Sequence, residues 1–448
     1  MSDSSAVLEE ETVSEPENNG ILSGHRDQRD QTVPAWFADQ QGTAWTQFQS
    51  LPMPARTDQA WRFSNIAALD LSPYRISAPV SEEDAREILH RSTGLDETSG
   101  RLVFADDHLL ERSIFSEKLR RAGVIFQPLG RAMLEHEELF RRHFMSQPAA
   151  LGSAKFAALH EAFVRSGTFL YVPRGVEVEW PLETFHWLRA ENAAIFPHTL
   201  VVAEEMAKVT FIEHFHSTNR GRPGFSCGVN DLIVGAGAKV TYICAQDWSE
   251  KTLSIQINAT TVARDAAALN LHLALGGKYS RMESLSRLAG EGSRSDMLAV
   301  VVMDGSREFD ARTLQDHGSP HTASDLLFKN ALSDRARTTF GGLIRVEPQA
   351  HFTDAYQKVR NLLLSDDAEA NSMPGLEILA DNVRCTHGAT SGQIDEDEMF
   401  YLLARGIPAP LARHLLVGGF LNEVLERLPD RILVEKLESL IAAKFRGR

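Results

Sequence analysis

The chain reads as a mainly β protein whose centre is a stacked, parallel β-helix held between helical regions. From about residue 168 apolar and polar side chains alternate, as in TFLYVPRGVEVEW, TLVVAEE and KVTFIEHF, which is the period of strands. A motif then recurs: AKVTFIEH from 207, AKVTYICA from 238, AALNLHLA from 267, DMLAVVVM from 296 and RTTFGGLI from 337, in steps of 31, 29, 29 and 41 residues. Turn-prone stretches (EEM, GAG, RDA, GSRS, SDR) precede these segments. One coil per ~30 residues, with little helix between, is the signature of a solenoid. A β-sandwich, with turns every ~8–12 residues, stays open as the alternative.

The elements follow in order. Residues 1–30 are polar and acidic and read as a disordered tail. Over 31–166 helical signals dominate: Pro34 suits a first helical turn, and Trp36, Phe37, Trp45 and Phe48 supply apolar faces. SEEDAREILHR (81–91) opens with Ser81 and places an acid three residues on, a capping-box arrangement. GRAMLEHEELFRRHF and SAKFAALHEAFVRSG read as two further helices, the second stopping at Gly167. The β-helix core is expected over 167–395. After Asp395 helical periodicity returns across 396–448: DEDEMFYLLARG puts acids at a helix N-terminus and closes at Gly406. PLARHLLVGGFLNEVLERL and DRILVEKLESLIAAKF, both amphipathic, follow.

Composition excludes several function classes. The 448 residues are 43% hydrophobic and 24% charged, as in ordinary soluble proteins. A net charge of −15 argues against a general nucleic-acid binder. No apolar run approaches the ~18 residues of a membrane helix. The acidic start (EEETVSEPE) resembles neither a secretory signal nor a transit peptide. Cys227, Cys244 and Cys385 are too few and too scattered for a disulfide framework or a four-thiolate zinc site. A reducing, cytoplasmic setting is expected.

Candidate sites are sparse. HLALGGKYS approximates a P-loop, but His272 stands for the first Gly and Tyr279 for Ser or Thr. GAGAKV has Val240 in place of a third Gly. No nucleotide site is expected. EHFHS sets His214 and His216 on one strand face, as in metal-binding cupin barrels, but Arg220 replaces the Glu that pattern needs. Hydrogen-bonded wall histidines are the plainer reading. A glycosidase needs paired carboxylates in a cleft, whereas Asp366–Asp367 and Glu396–Asp397–Glu398 fall in a turn and at a helix start. NVRCTHGATSGQID places Cys385 and His387 two apart on a strand, hence on one face. They could be core side chains, and one Cys with one His is too few for a metal; ligands from another subunit would be needed. Leu415, Leu416, Phe420, Val424 and Leu428 are spaced for one helix side, which serves core or partner equally.

QAHFTDAYQKVRNLLLSDDAEANSMPGLEILADNVRCTHGATSGQIDEDEMFYLLARGIP resembles the core of the SufB/SufD family, the scaffold subunits of the Suf system for iron–sulfur cluster assembly. The likeness extends to ARHLLVGGFLNEVLERLP, FVRSGTFLYVPRGVEVEWPLE, AKVTFIEHF and LPMPARTDQAWRFSNIAAL, covering nearly everything after the acidic tail. The SufD branch is the better match. Cys385-Thr386-His387-Gly388-Ala389-Thr390 is SufD-like, Gly388 standing where SufB carries a functional Glu; SufB's Cys about 28 residues upstream falls on Val359. The resemblance implies a right-handed parallel β-helix that pairs with a SufB-type scaffold. It implies a C-terminal domain docking a SufC-type ABC ATPase, with Leu415, Leu416, Phe420, Val424 and Leu428 as docking residues. It implies a non-catalytic subunit, with His387, and with less weight Cys385, as the half-site for a transient iron–sulfur cluster shared with SufB. Reduced flavin on the complex and a homodimer of the isolated chain stay open. So do two rivals: a carbohydrate-active β-helix enzyme and a purely structural solenoid.

Overall fold

The computed structural model describes residue 21 and residues 33–76, 79–113 and 116–446. The acidic tail expected over 1–30 lies outside the described residues, Ile21 apart. The rest is mainly β, a parallel solenoid of about eight turns with helices at both ends. Each turn contributes one strand to each of two ten-stranded sheets. One sheet runs Leu182–Leu188, Lys208–Ser217, Lys239–Asp247, Ala267–Ala274, Arg294–Met303, Ala323–Leu332, Asp354–Leu363 and Arg384–Gly392. The other includes Gly167–Val172, His198–Ala203, Gly224–Val234, Thr252–Val262, Tyr279–Leu288, Glu308–His317, Arg337–Val346 and Glu369–Ile378. Pairing is parallel throughout these series.

A column of left-handed residues turns the chain at one corner. Gly175, Met206, Gly237, Asp265, Gly292, His321, Phe352 and Asn382 all have φ between +54° and +71°. Each of the first seven donates its N–H to a carbonyl of the next coil: Met206 to Ala236, Gly237 to Arg264, Asp265 to Glu291, and so on to Phe352 on Asn382. Glycine adopts this conformation freely, and Asp, Asn and His tolerate it better than most. EEM, GAG and RDA are corners of this column.

The repeat is real, but its last step is not. Lys208, Lys239, Ala267, Arg294, Ala323, Asp354 and Arg384 stand in register along one sheet. RTTFGGLI belongs to Arg337–Val346 of the opposite sheet. The 41-residue step therefore skipped Ala323–Leu332 and changed sheets. The cause is turn chemistry: SDR lies at the other corner, where Gly305 and Asp334 also have positive φ, so both corners look alike in sequence.

The region 31–166 is not wholly helical. Gly100–Ala105 continues one sheet parallel to Leu182–Leu188, and His108–Arg112 closes it antiparallel. Ile125–Pro128 closes the other sheet antiparallel to Gly167–Val172. GRAMLEHEELFRRHF forms two helices, Leu129–Glu135 and Glu137–His143, broken at His136. Ser81 caps Glu82–Arg91 by accepting from Asp84 N. The helix Ala154–Phe163 ends four residues before Gly167, which opens a strand instead. Helices Ala35–Ser50 and Ala154–Phe163 and the segment around Trp61 cover the outer wall of one sheet. Glu396–Ala404, Ala409–Leu425 and Arg431–Arg446 follow the last strand, and the latter two cover the other wall. Leu182–Leu188 is buried along its whole length because its outer side is covered too, by helix Glu82–Arg91, whose Ile88 packs with Phe185 and Trp187.

Candidate functional site

The two ends of the solenoid differ. Antiparallel strands and helices close the first coils, whereas Arg384–Gly392 and Glu369–Ile378 are each the last strand of their sheet. Cys385 and His387 lie on the former. In register, Cys385 stands beside Ala355, His387 beside Gln357, Ala389 beside Val359 and Ser391 beside Asn361. Those four neighbours are buried core residues. Cys385, His387, Ala389 and Ser391 thus extend the core-facing row into a coil that no later coil covers among the described residues. Opposite, Leu376 and Ile378 are 37% and 40% exposed although their register neighbours Ile344 and Val346 are fully buried. The solenoid's interior surfaces here as a mixed apolar and polar end face.

Within it the two candidates differ. His387 is exposed. Cys385 is half-buried beside Ile344, Val346, Ala350 and Ala355. Burial first, and then the negative charge of Asp354, raise its thiol above the ordinary range. It is therefore held as a neutral thiol, whereas metal ligation and nucleophilic attack need the thiolate. Gly388 points to open space on the opposite face. Val359 is buried in the core with no metal-binding group. Among the described residues no three His, Cys, Asp or Glu side chains converge on a metal-sized site.

His214 and His216 lie in an aromatic stack on the solenoid wall. His214 Nε2 is 3.2 Å from Glu183 Oε1, with its ring 4.3 Å from Phe185; His216 stacks 4.8 Å from Trp187. Arg220 is committed to Asp247. Asp366 and Asp367 are exposed in a turn. Glu396, Asp397 and Glu398 form an exposed first helical turn whose cap, Asp395, accepts from the N–H groups of Asp397 and Glu398.

The five C-terminal apolar residues do not share one exposed face. Val424 and Leu428 are buried against the wall strands with Val417, Leu421 and Leu425. Leu416 and Phe420 are half-buried, and Leu415 alone is exposed, at 48%. Apolar spacing marks a helix face, not what covers it, and the solenoid wall covers this one. The exposed apolar groups of these helices that sequence reasoning missed include Phe400, Tyr401, Leu403, Leu411 and Ile432. Phe400 and Leu403 line a cavity of about 420 Å³ between the helices and the last coils, with Leu363, Ile394, Met399 and Arg413.

A charged clamp ties helix Ala409–Leu425 to the strands leading to this end. Glu423 pairs with buried Lys329, and lies 3.6 Å from Lys358 and 3.5 Å from Arg360. The Lys329 hydrogen bond, more than any other influence, lowers the Glu423 carboxyl below its usual range. Lys329 also donates to the Phe420 carbonyl at 2.6 Å, with its ammonium 4.5 Å above the Phe420 ring.

Comparison with known proteins bears on this geometry. A family model described as the SUF system FeS cluster assembly SufBD core domain matches residues 186–420, and one for the SufBD N-terminal region matches 22–184. The iron–sulfur cluster assembly protein SufD of Bacillus subtilis is 30% identical over 420 residues, 92% of this chain and 95% of that protein. A SufBD family protein of Synechocystis is 28% identical, covering 88% of each chain. SufB of Bacillus subtilis is 27% identical over 74% of this chain and 71% of its own length.

Proposed function

The chain belongs to the SufBD family of iron–sulfur cluster assembly proteins, and from that membership we propose that it is the SufD-type half of a two-solenoid scaffold. One observation carries this reading: the last coil leaves core-facing side chains, His387 among them, at an end that no later coil covers among the described residues. Two strand edges and an apolar interior left open are the features that pairing with another β-helix satisfies. A SufB-type partner, itself of this family, supplies a matching end, and the cluster is assembled at the seam. His387 contributes an imidazole as ligand or proton carrier, and the partner contributes thiolate and carboxylate. The cluster is cargo of the complex, so a half-site with too few ligands is what this subunit needs. Cys385 is the weaker contributor, because its thiol is held neutral.

The helices of 396–448 dock a SufC-type ABC ATPase. The docking surface is Phe400, Tyr401, Leu403, Leu411 and Leu415, while Val424 and Leu428 hold the helices to the solenoid. This subunit performs no ATP hydrolysis and works in the cytoplasm; no helix among the described residues is long and apolar enough to cross a membrane. The test is purification of the tagged chain from its own host. A SufB-type subunit and an ABC ATPase should co-purify in fixed ratio. Recovery of the chain without either would overturn the reading.

A further inference from the structure

Gln357 is 2% exposed, yet among the described residues neither its Nε2 nor its Oε1 has a hydrogen-bond partner. Buried side-chain amides are nearly always bonded, so such a group calls for a physical account. Its surroundings are specific. Gln357 stands on Asp354–Leu363 between Leu326 on one side and His387 on the other, and in-register side chains share a face. Across the core its amide lies over Gly342, where a Cβ would collide with Nε2, and the Phe340 ring flanks the same glycine. Leu326, Phe340 and Gly342 offer no side-chain hydrogen bond. Of its two in-register neighbours on the adjacent strands, His387 is the one that can, one strand away at a spacing of ~4.8 Å; in the facing sheet the buried hydroxyl of Thr313 stands beside Gly342.

We propose that Gln357 is the positioning residue of His387. When a partner covers the open end, Gln357 Oε1 accepts from one ring N–H of His387. That bond fixes a single tautomer and turns the other nitrogen across the seam. A ligating imidazole is normally oriented by a bond to its second nitrogen. The strand register supplies that bond here from within the core. Gly342 leaves the space that lets the amide lie beneath the end face. This inference rests on the half-site reading of His387.

The test uses the assembled complex with its SufB-type and ATPase partners, carrying wild type, Gln357→Met, Gly342→Ala or His387→Ala. Met keeps length and flexibility but cannot make the bond. Gly342→Ala keeps the amide but displaces it, and drives the Phe340 ring aside as well, because a Cβ there meets Phe340 Cζ at 2.5 Å. Gln357→Met should assemble like wild type, and both variants should carry at least tenfold less iron and sulfide per assembled complex, the usual cost of losing an orienting partner. A second readout needs no cluster: ¹⁵N-histidine spectra of the metal-free complex should show one His387 tautomer in wild type and a mixture in Gln357→Met. Gln357→Glu, which keeps an acceptor, should restore the single tautomer. If His387→Ala loses its clusters while Gln357→Met keeps them and its tautomer, the positioning role is wrong and the half-site reading stands. If His387→Ala itself keeps its clusters, both fall.

Discussion

Arg281 is fully buried, and it fastens the N-terminal segment to the solenoid. Its guanidinium pairs with Glu283 at 2.7 Å and Asp310 at 2.6 Å, donates to the carbonyls of Ala60 and Leu151, and lies 3.7 Å from the Trp61 ring centre. Removing one member of a buried charge network leaves the others uncompensated, at a cost of roughly 3–5 kcal/mol. Arg281→Met should therefore lower the urea midpoint markedly and raise hydrogen exchange first around Trp61. An unchanged midpoint would show that the network is not what holds this segment. Nothing in the local sequence announces Arg281, because its partners lie as far as 221 residues away. Cys385 and His387 were different. Alternation placed them on one face from sequence alone, but their unlike exposure follows from where the solenoid ends. Gln357 was not picked out because, although alternation puts it on the same face as Val359 two residues on, an uncharged amide in a strand carries no signal of its own in the sequence.

Helix Ala409–Leu425 shows what an element's pattern can and cannot say. Its apolar residues were legible as a face, but the surface that covers them is a solenoid wall assembled from several strands remote in sequence, Ala267–Ala274, Arg294–Met303 and Ala323–Leu332 among them. Deleting 396–448 would strip Leu271, Leu298, Val300 and Leu327 of their cover, so truncation is a poor probe of docking. Surface changes separate the roles. Phe400→Asp with Leu415→Asp should leave the melting temperature within a few degrees and cut ATPase co-purification at least tenfold. Val424→Asp buries an unpaired charge and should destabilise the chain by more than about 3 kcal/mol. If the surface pair still captures the ATPase fully, docking lies elsewhere.

Over the whole molecule, the period was legible and its phase was not. Strand alternation and a recurring segment gave the solenoid. The two corners share the same left-handed turn chemistry, so the sequence alone could not keep the sheets apart. The solenoid also buries titratable groups along its length. Burial pushes His272 down to about 4, with its ring stacked 5.8 Å from Phe309. Above pH 6.5 both states are neutral and this residue is indifferent. As pH falls from 6.5 towards 4, the unfolded chain takes up a proton that the folded chain refuses, and stability is lost. Between pH 7 and 5 that amounts to about 2 kcal/mol for one such group. His272→Leu should shrink the difference in unfolding free energy between pH 7 and 5 by about that amount. An equal difference in both proteins would contradict the assignment. Other buried groups cancel in this comparison, including Asp231, which burial pushes up to about 7 and which works in the opposite direction.

On the proposed reading the open end of this solenoid holds half of a cluster-assembly site, with His387 as its working group. The decisive quantity is iron and acid-labile sulfide per assembled three-protein complex, wild type against His387→Ala. His387 is exposed, so its loss should leave folding and assembly intact while cluster content falls at least tenfold, and Cys385→Ala should fall less. His387→Ala complexes that carry clusters at the wild-type ratio would make this end a structural seam and nothing more.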